Sequence, residues 1–179
     1  MAKHIDTFKG WSESIIGDVT ALQVLIESDQ APAEARRLAA AALSYLVSRM
    51  DLVPDWEEGI GVLDDVMVVR VCANLASAHG LTGVPDEVEF TLARLANEAE
   101  AISEFLGTEL YDKLRSFCSN QVDKSVRGRA PATVLADPDV RAALFRDVDD
   151  EVKRSVPVVV SDPDDAEVRL KAYLAHKLK

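Results

Sequence analysis

Apolar side chains recur every three or four positions along most of this chain, which is the spacing of one face of an α-helix. Between residues 12 and 27, Ile15, Val19, Leu22 and Ile26 recur at spacings of four and three, so we expect one amphipathic helix there, with Ser12 or Ser14 as its cap. The same periodicity predicts further helices over residues 33–47, 62–78, 85–106, 138–155 and 163–177, and another that begins at Thr108.

The C-terminal third carries its own helix-start signals. Asp137-Pro138 and Asp162-Pro163 each combine a capping aspartate with a proline, which the first turn of a helix tolerates. Between these helices the run Val156-Pro157-Val158-Val159-Val160 is typical of either an extended connector or an edge strand. We therefore divide the chain into a helical bundle over residues 1–129 and a helical extension over residues 130–179, which we expect to pack on the same core.

The overall pattern indicates a fold without sheets. The helix predicted over residues 62–78 is apolar on most of its sides, and such a helix belongs in the middle of a bundle. Glycine (8) and proline (7) are few, which disfavours a fold with many tight turns. We predict an all-α protein, a bundle of roughly six to eight helices with a central helical hairpin.

One segment between two predicted helices concentrates acidic residues. We call Asp51, Asp55, Asp64 and Asp65 the acidic corner. In a structural interpretation, these side chains are caps and first-turn anions of helices, at ~0.5–2 kcal/mol each, and Asp64 and Asp65 also pair with Arg49 or with a basic side chain from elsewhere in the chain. In a functional one, they hold a hard divalent cation such as Mg²⁺ or Ca²⁺, or take part in acid/base chemistry. The sequence does not show whether the four carboxylates converge.

The segment around the corner resembles the YkvA-like family of small bacterial helical domains, a family of unknown function. The resemblance covers Tyr45 to about Leu75. The matching positions are Tyr45, Ser48, Asp51, Leu52, Pro54, Asp55, Gly61, Leu63, Asp64 and Asp65. The resemblance implies a helical hairpin built around an acidic corner, and it implies no reaction.

Three positions depart from the family's pattern. Arg49 replaces the proline expected before the corner, and the apolar turn after it carries Glu57 and Glu58. Some relatives place this motif in membrane-associated hairpins, and the added charges count against that role here. We expect Trp56 to cover the corner or the edge of the core, and we consider Trp56 and Arg49 candidate contacts for a protein partner.

Charge and polarity narrow the function classes. The formal net charge of −11 would repel a nucleic acid, so we expect no nucleic-acid partner. The longest apolar stretch, residues 60–78, contains Asp64, Asp65 and Arg70, which would make insertion into a membrane costly. The polar N-terminus lacks the apolar core of an export signal, and Cys72 and Cys118 lie in apolar helical segments, as buried reduced thiols do. We therefore predict a cytoplasmic location.

No arrangement of residues indicates an enzyme. His4, His79 and His176 lie far apart in the sequence, and neither a nucleophile motif nor a phosphate-binding glycine loop is present. Our leading hypothesis is a non-enzymatic cytoplasmic interaction or scaffold protein without a cofactor, with a protein partner of unknown identity and self-association left open. The alternative is a divalent-metal-binding module, or a metal-dependent enzyme, that uses the acidic corner.

Overall fold

The computed structural model describes residues 3–48 and 51–179. These residues form nine α-helices, one short 3₁₀-helix (Gln121–Asp123) and no strand, so the predicted all-α class is confirmed. Eight of the helices have at least seven residues. The helices are α1 (Lys3–Glu13), α2 (Ile15–Glu27), α3 (Ala33–Leu46), α4 (Leu63–Ser77), α5 (Asp86–Leu106), α6 (Thr108–Asn120), α7 (Pro131–Ala136), α8 (Pro138–Arg154) and α9 (Pro163–Lys177).

Helix α4 lies at the centre of the bundle. It packs most extensively against α3 and α5, and it also contacts α1 and α6. Val68, Val69, Val71 and Cys72 are completely buried although they point to different sides of the helix. Each fully buried aliphatic side chain contributes ~1.5–3 kcal/mol. The pairing of α3 with α4 is the helical hairpin that the sequence predicts, and the buried alanines of α3 let the two backbones approach closely.

The helix expected over residues 12–27 is α2, and it begins directly after Ser14, one of the two caps that the sequence offers. The chain breaks at Ser14, whose hydroxyl donates to Trp11 O at 3.1 Å and to Asp18 Oδ2 at 3.2 Å. The break separates α1 from α2, which allows α1 to pack against α4 and α9 while α2 packs against α3 and α5. Helix α1 buries Ile5, Phe8 and Trp11 and was not predicted, because three apolar residues at a spacing of three are a weak signal.

Residues 130–179 pack on the same hydrophobic core as the rest of the chain. Val134 of α7, Leu144 of α8 and Leu170 of α9 are completely buried members of that core. Helix α7 has only six residues and was not predicted. The predicted aspartate caps do form, since Asp137 accepts from the amides of its own helix start and so does Asp162. The valine-rich run between α8 and α9 is a connector rather than a strand.

A buried ion cluster joins three helices. Arg70 of α4 is fully buried, and its guanidinium lies 2.9 Å from Glu98 Oε2 and 3.3 Å from Asp18 Oδ2. Arg94 pairs with the same two carboxylates, at 2.6 Å from Asp18 Oδ1. The Arg70 guanidinium carbon also lies 4.1 Å from the centre of the Trp11 ring. Every charge in this cluster therefore has a partner of opposite sign, as burial in the bundle requires.

Candidate metal centre

The acidic corner is built where the chain passes from α3 to α4. Residues 51–62 form consecutive turns, which the buried hydroxyl of Tyr45 ties to both helices. This hydroxyl donates to Asp64 Oδ2 at 2.6 Å and accepts from the Leu52 amide at 2.7 Å. The Val53 amide also donates to Asp64 Oδ2, at 3.3 Å. One oxygen of Asp64 is thus held by the corner itself.

Gly61 allows the corner to close. A Cβ atom at this position would lie 2.5 Å from the carbonyl oxygen of Asp55 and 2.9 Å from that of Pro54. Real Cβ atoms do not approach backbone atoms so closely, so any other residue would push the turn away from the start of α4. The glycine therefore brings Asp64 and Asp65 next to the segment that carries Asp51.

Three of the four predicted aspartates converge. One carboxylate oxygen of each of Asp51, Asp64 and Asp65 lies within 4.8 Å of the other two, and we call these residues the aspartate trio. Asp64 is completely buried. The Oδ1 atom of each trio member is also shielded from solvent and finds no hydrogen-bond donor within residues 3–48 and 51–179. The expected pairing of the corner with Arg49 lies outside the described residues.

The electrostatics of the trio favour a bound cation or bound protons. Burial and, to a lesser extent, the negative charge of Asp64 raise the pKa of Asp51 from 3.8 to about 8. Burial raises the pKa of Asp64 to about 6 although the bonds from Tyr45 and Val53 oppose the change. The pKa of Asp65 also lies well above its usual range, because Asp65 is buried beside Asp64 and Asp51.

A cavity of about 480 Å³ opens beside the trio. Six acidic residues line it: Asp51, Asp55, Glu57, Glu58, Asp65 and Glu151. Apolar side chains form much of the remaining wall, among them Leu46, Val62, Val66, Val152, Pro157 and Val158. Trp56 lines the cavity and is 83% exposed, so the expectation that it covers the corner or the core edge was wrong.

The structure distinguishes the roles of the predicted residues. Asp55 is exposed and lies outside the trio, although its negative charge acts on all three members. Neither Asp64 nor Asp65 is the N-cap of α4, because Val62 occupies that position. Both lie in the first turn of α4, where the helix dipole favours a negative charge.

Sequence reasoning missed one carboxylate of the cavity. Glu151 comes from α8, about one hundred positions after the corner, and its charge raises the pKa of Asp51 and Asp65. No local pattern marks this residue, since it is one of several acidic residues in a charged helix. Only the packing of α8 beside the corner identifies it.

The fold and the site define an all-α bundle with a buried aspartate trio beside a cavity. The model of a family described as "Protein of unknown function (DUF1232)" matches residues 35–70, which contain the whole trio. This match confirms the resemblance over a segment of the chain. No curated protein and no solved structure matches the chain. In the described residues, no helix combines the length and the apolar character needed to cross a membrane.

Proposed function

We propose that this protein is a divalent-cation-binding domain in which Asp51, Asp64 and Asp65 are the protein ligands. The observation that carries the proposal is the trio's geometry, since one carboxylate oxygen of each member lies within 4.8 Å of the other two. In addition, each member has a shielded Oδ1 without a hydrogen-bond partner among the described residues. A buried carboxylate without a partner is costly, and a cation would neutralise three of them together. Hard cations such as Ca²⁺ and Mg²⁺ prefer carboxylate oxygen.

The spacing supports a single ion shared by the three residues. One carboxylate oxygen of each trio member lies within 4.8 Å of the other two, and small side-chain adjustments bring oxygens at this spacing within reach of one divalent cation. Three protein ligands would leave further positions on the ion for water or a ligand from the cavity.

Thermal unfolding of EDTA-treated protein with Ca²⁺, Mg²⁺ or Mn²⁺ tests this proposal. An ion at one hundred times its dissociation constant stabilises a protein by about 2.7 kcal/mol, which for a chain of this size raises the Tm by about 5–10 °C. We expect such a rise in the wild type and none in Asp65→Asn.

Asp150→Asn is the matched control, because it removes an exposed carboxylate from α8 and should keep the full rise. An equal rise in the wild type and Asp65→Asn would place the ion elsewhere, and no rise in the wild type with any of the three ions would refute the proposal. Titration calorimetry on the same proteins would give the stoichiometry, for which we expect one ion per chain.

The hypothesis of a non-enzymatic cytoplasmic interaction or scaffold protein stays a prediction. The exposed indole of Trp56 supports it, because a large apolar side chain in solvent is a common feature of binding surfaces. Cation binding is consistent with that role, since an ion at the corner would stabilise the surface that presents Trp56.

A further inference from the structure

The cavity beside the trio has two chemically different parts. Its acidic part includes Asp55 and Glu151, which are not members of the trio. Its apolar part is formed by the end of α3, the start of α4, α8 and the connector between α8 and α9. A volume of about 480 Å³ falls within the range of about 300–1,000 Å³ that is typical of small-molecule sites.

The mouth of the cavity exposes apolar side chains to solvent. Trp56 is 83% exposed, Val156 79% and Val159 67%, and Val156 and Val159 belong to the connector. All three line the cavity, so their exposure is concentrated at one place. Apolar side chains grouped at the entrance of a concave site are a feature of ligand binding.

The connector is placed over the corner by a close backbone contact. A Cβ atom on Gly59 would lie 3.1 Å from the carbonyl oxygen of Val159, and Gly59 has a φ of +81°. Both facts favour glycine at this position, because a side chain would crowd the connector and strain the turn. The connector therefore lies directly beside the turn that carries Gly59 and forms one wall of the cavity.

The charges of the residues that line the cavity determine which class of ligand it can bind. With a divalent cation bound, the trio keeps a formal charge of about −1 by the arithmetic of three carboxylates and one ion, and Asp55 and Glu151 add to it. Arg154 also lines the cavity and pairs with Glu151, since its guanidinium lies 3.5 Å from Glu151 Oε2. Among the described residues, six acidic side chains and this one basic side chain line the cavity, which favours a positively charged ligand over an anion.

We propose that this cavity binds a small organic amine, with the ammonium group at the carboxylates of Asp55 and Glu151 and the apolar body against the valine-lined wall and Trp56. An ammonium group donates three hydrogen bonds, which suits several carboxylates at one edge. The Trp56 ring adds a surface that attracts a cation. The site does not depend on the trio's ion, because Asp55 and Glu151 are not trio members.

Calorimetric titration of the full-length protein with 2-phenylethylamine tests the proposal. The matched probes are 2-phenylethanol, which lacks the charge, and 3-phenylpropanoate, which reverses it. We expect the amine to bind at least about tenfold more tightly than either probe, since a hydrogen bond to a charged group has that effect. Equal binding of the three probes, or no binding of the amine, would overturn the proposal.

Substitutions of the lining residues test where in the cavity the amine binds. Glu151→Gln should weaken amine binding about tenfold, and Trp56→Ala should weaken all three probes, because the indole contacts the shared phenyl group. Asp150→Asn, on the same helix, should leave the affinity unchanged. An unchanged affinity in Glu151→Gln would refute the assignment. Repeating the wild-type titration in EDTA separates the two proposals, because the amine should still bind when no cation is available to the trio.

Discussion

Asp64 shows how one side chain can serve both the fold and a site. Its Oδ2 accepts from Tyr45 and Val53, and these bonds stabilise the corner, whereas its Oδ1 has no donor among the described residues. A purely structural carboxylate would be expected to use both oxygens, because an unsatisfied buried acceptor costs about 1–3 kcal/mol. Asp64 therefore differs from an ordinary first-turn aspartate, because one of its oxygens stabilises the corner and the other has no donor among the described residues.

Loss of one trio carboxylate should raise the stability of the ion-free protein and weaken ion binding. In EDTA at pH 8, we expect Asp51→Asn to unfold at a higher temperature than the wild type, because it removes a carboxylate crowded by Asp64 and Asp55. With Ca²⁺ present, the wild type should become the more stable of the two. Scanning calorimetry in both buffers measures this crossover, and a variant that is less stable in both would indicate a structural role alone.

The trio should also set a pH dependence in EDTA. The folded-state pKa of Asp51 is about 8 and that of Asp64 about 6, both above the ordinary 3.8, so the folded state binds more protons than the unfolded state between these values. Stability from these groups is therefore present at low pH and is lost as the pH rises from about 4 to about 8.

The difference in Tm between the wild type and Asp51→Asn isolates this effect from all other carboxylates. We expect the wild type to lose stability relative to the variant as the pH rises from 5 to 8. Saturating Ca²⁺ should reduce that loss, because the cation takes the place of the protons. Parallel Tm curves for the two proteins in EDTA would contradict the assigned pKa shifts.

At the scale of elements, periodicity and caps predicted most helices, and tertiary contacts decided the rest. Helices α3, α4, α5, α8 and α9 begin and end within one or two residues of the predicted bounds. The start of α2 after Ser14 agrees with one of the two caps that the sequence offered. Helix α1 was missed, because its packing against α4 and α9 leaves only a weak local pattern.

The residues of the candidate site, like the helices, were predicted where a local pattern marks them and missed where only tertiary contacts bring them together. The resemblance to a known family marked Asp51, Asp64 and Asp65 but could not show that they meet, since that depends on the turns between α3 and α4. Glu151 was missed because its only relevant neighbours are distant in sequence. The partners of Arg70 were missed for the same reason, although a charge in an apolar helix is itself a signal that a partner exists.

Arg70 connects α4 to α2 and α5, so its removal should weaken the packing of three helices. Arg70→Ala takes one cation from a cluster of two cations and two carboxylates, and it leaves Asp18 buried with Arg94 as its only cationic partner among the described residues. Breaking a buried ion pair costs about 3–5 kcal/mol. We expect urea unfolding to show a loss of that size.

Lys113→Ala is the control for this prediction. Lys113 pairs with Glu109 on the surface of α6 at 3.3 Å, and an exposed pair of this kind contributes only about 0.3–0.5 kcal/mol. Arg70→Ala should therefore be several times more destabilising than Lys113→Ala. Equal losses in the two variants would show that the buried cluster makes no special contribution to stability.

At the scale of the whole molecule, the C-terminal extension holds the corner in place. Arg169 of α9 lies 3.3 Å from Glu57 Oε2 and donates to the Glu58 carbonyl at 3.1 Å, and the Tyr173 hydroxyl donates to the Glu57 carboxylate. Glu57 and Glu58 are the charges that depart from the apolar turn of the family's pattern. Helix α9, which lies outside the matched segment, provides partners for the Glu57 side chain, whereas Glu58 contributes its backbone carbonyl.

These contacts predict that a substitution on α9 will alter the acidic corner, which lies more than 100 residues earlier in the sequence. Arg169→Ala removes both bonds to the turn, and Lys171→Ala is its control, because it removes the same charge from the same helix and its ammonium lies over the Phe105 ring instead. Hydrogen exchange should show faster exchange for amides of residues 55–62 in Arg169→Ala alone. Because that turn connects Asp51 to Asp64, Ca²⁺ binding should also weaken a few-fold in this variant. Equal exchange in both variants would mean that the corner holds its shape without α9, so that the extension would only complete the core.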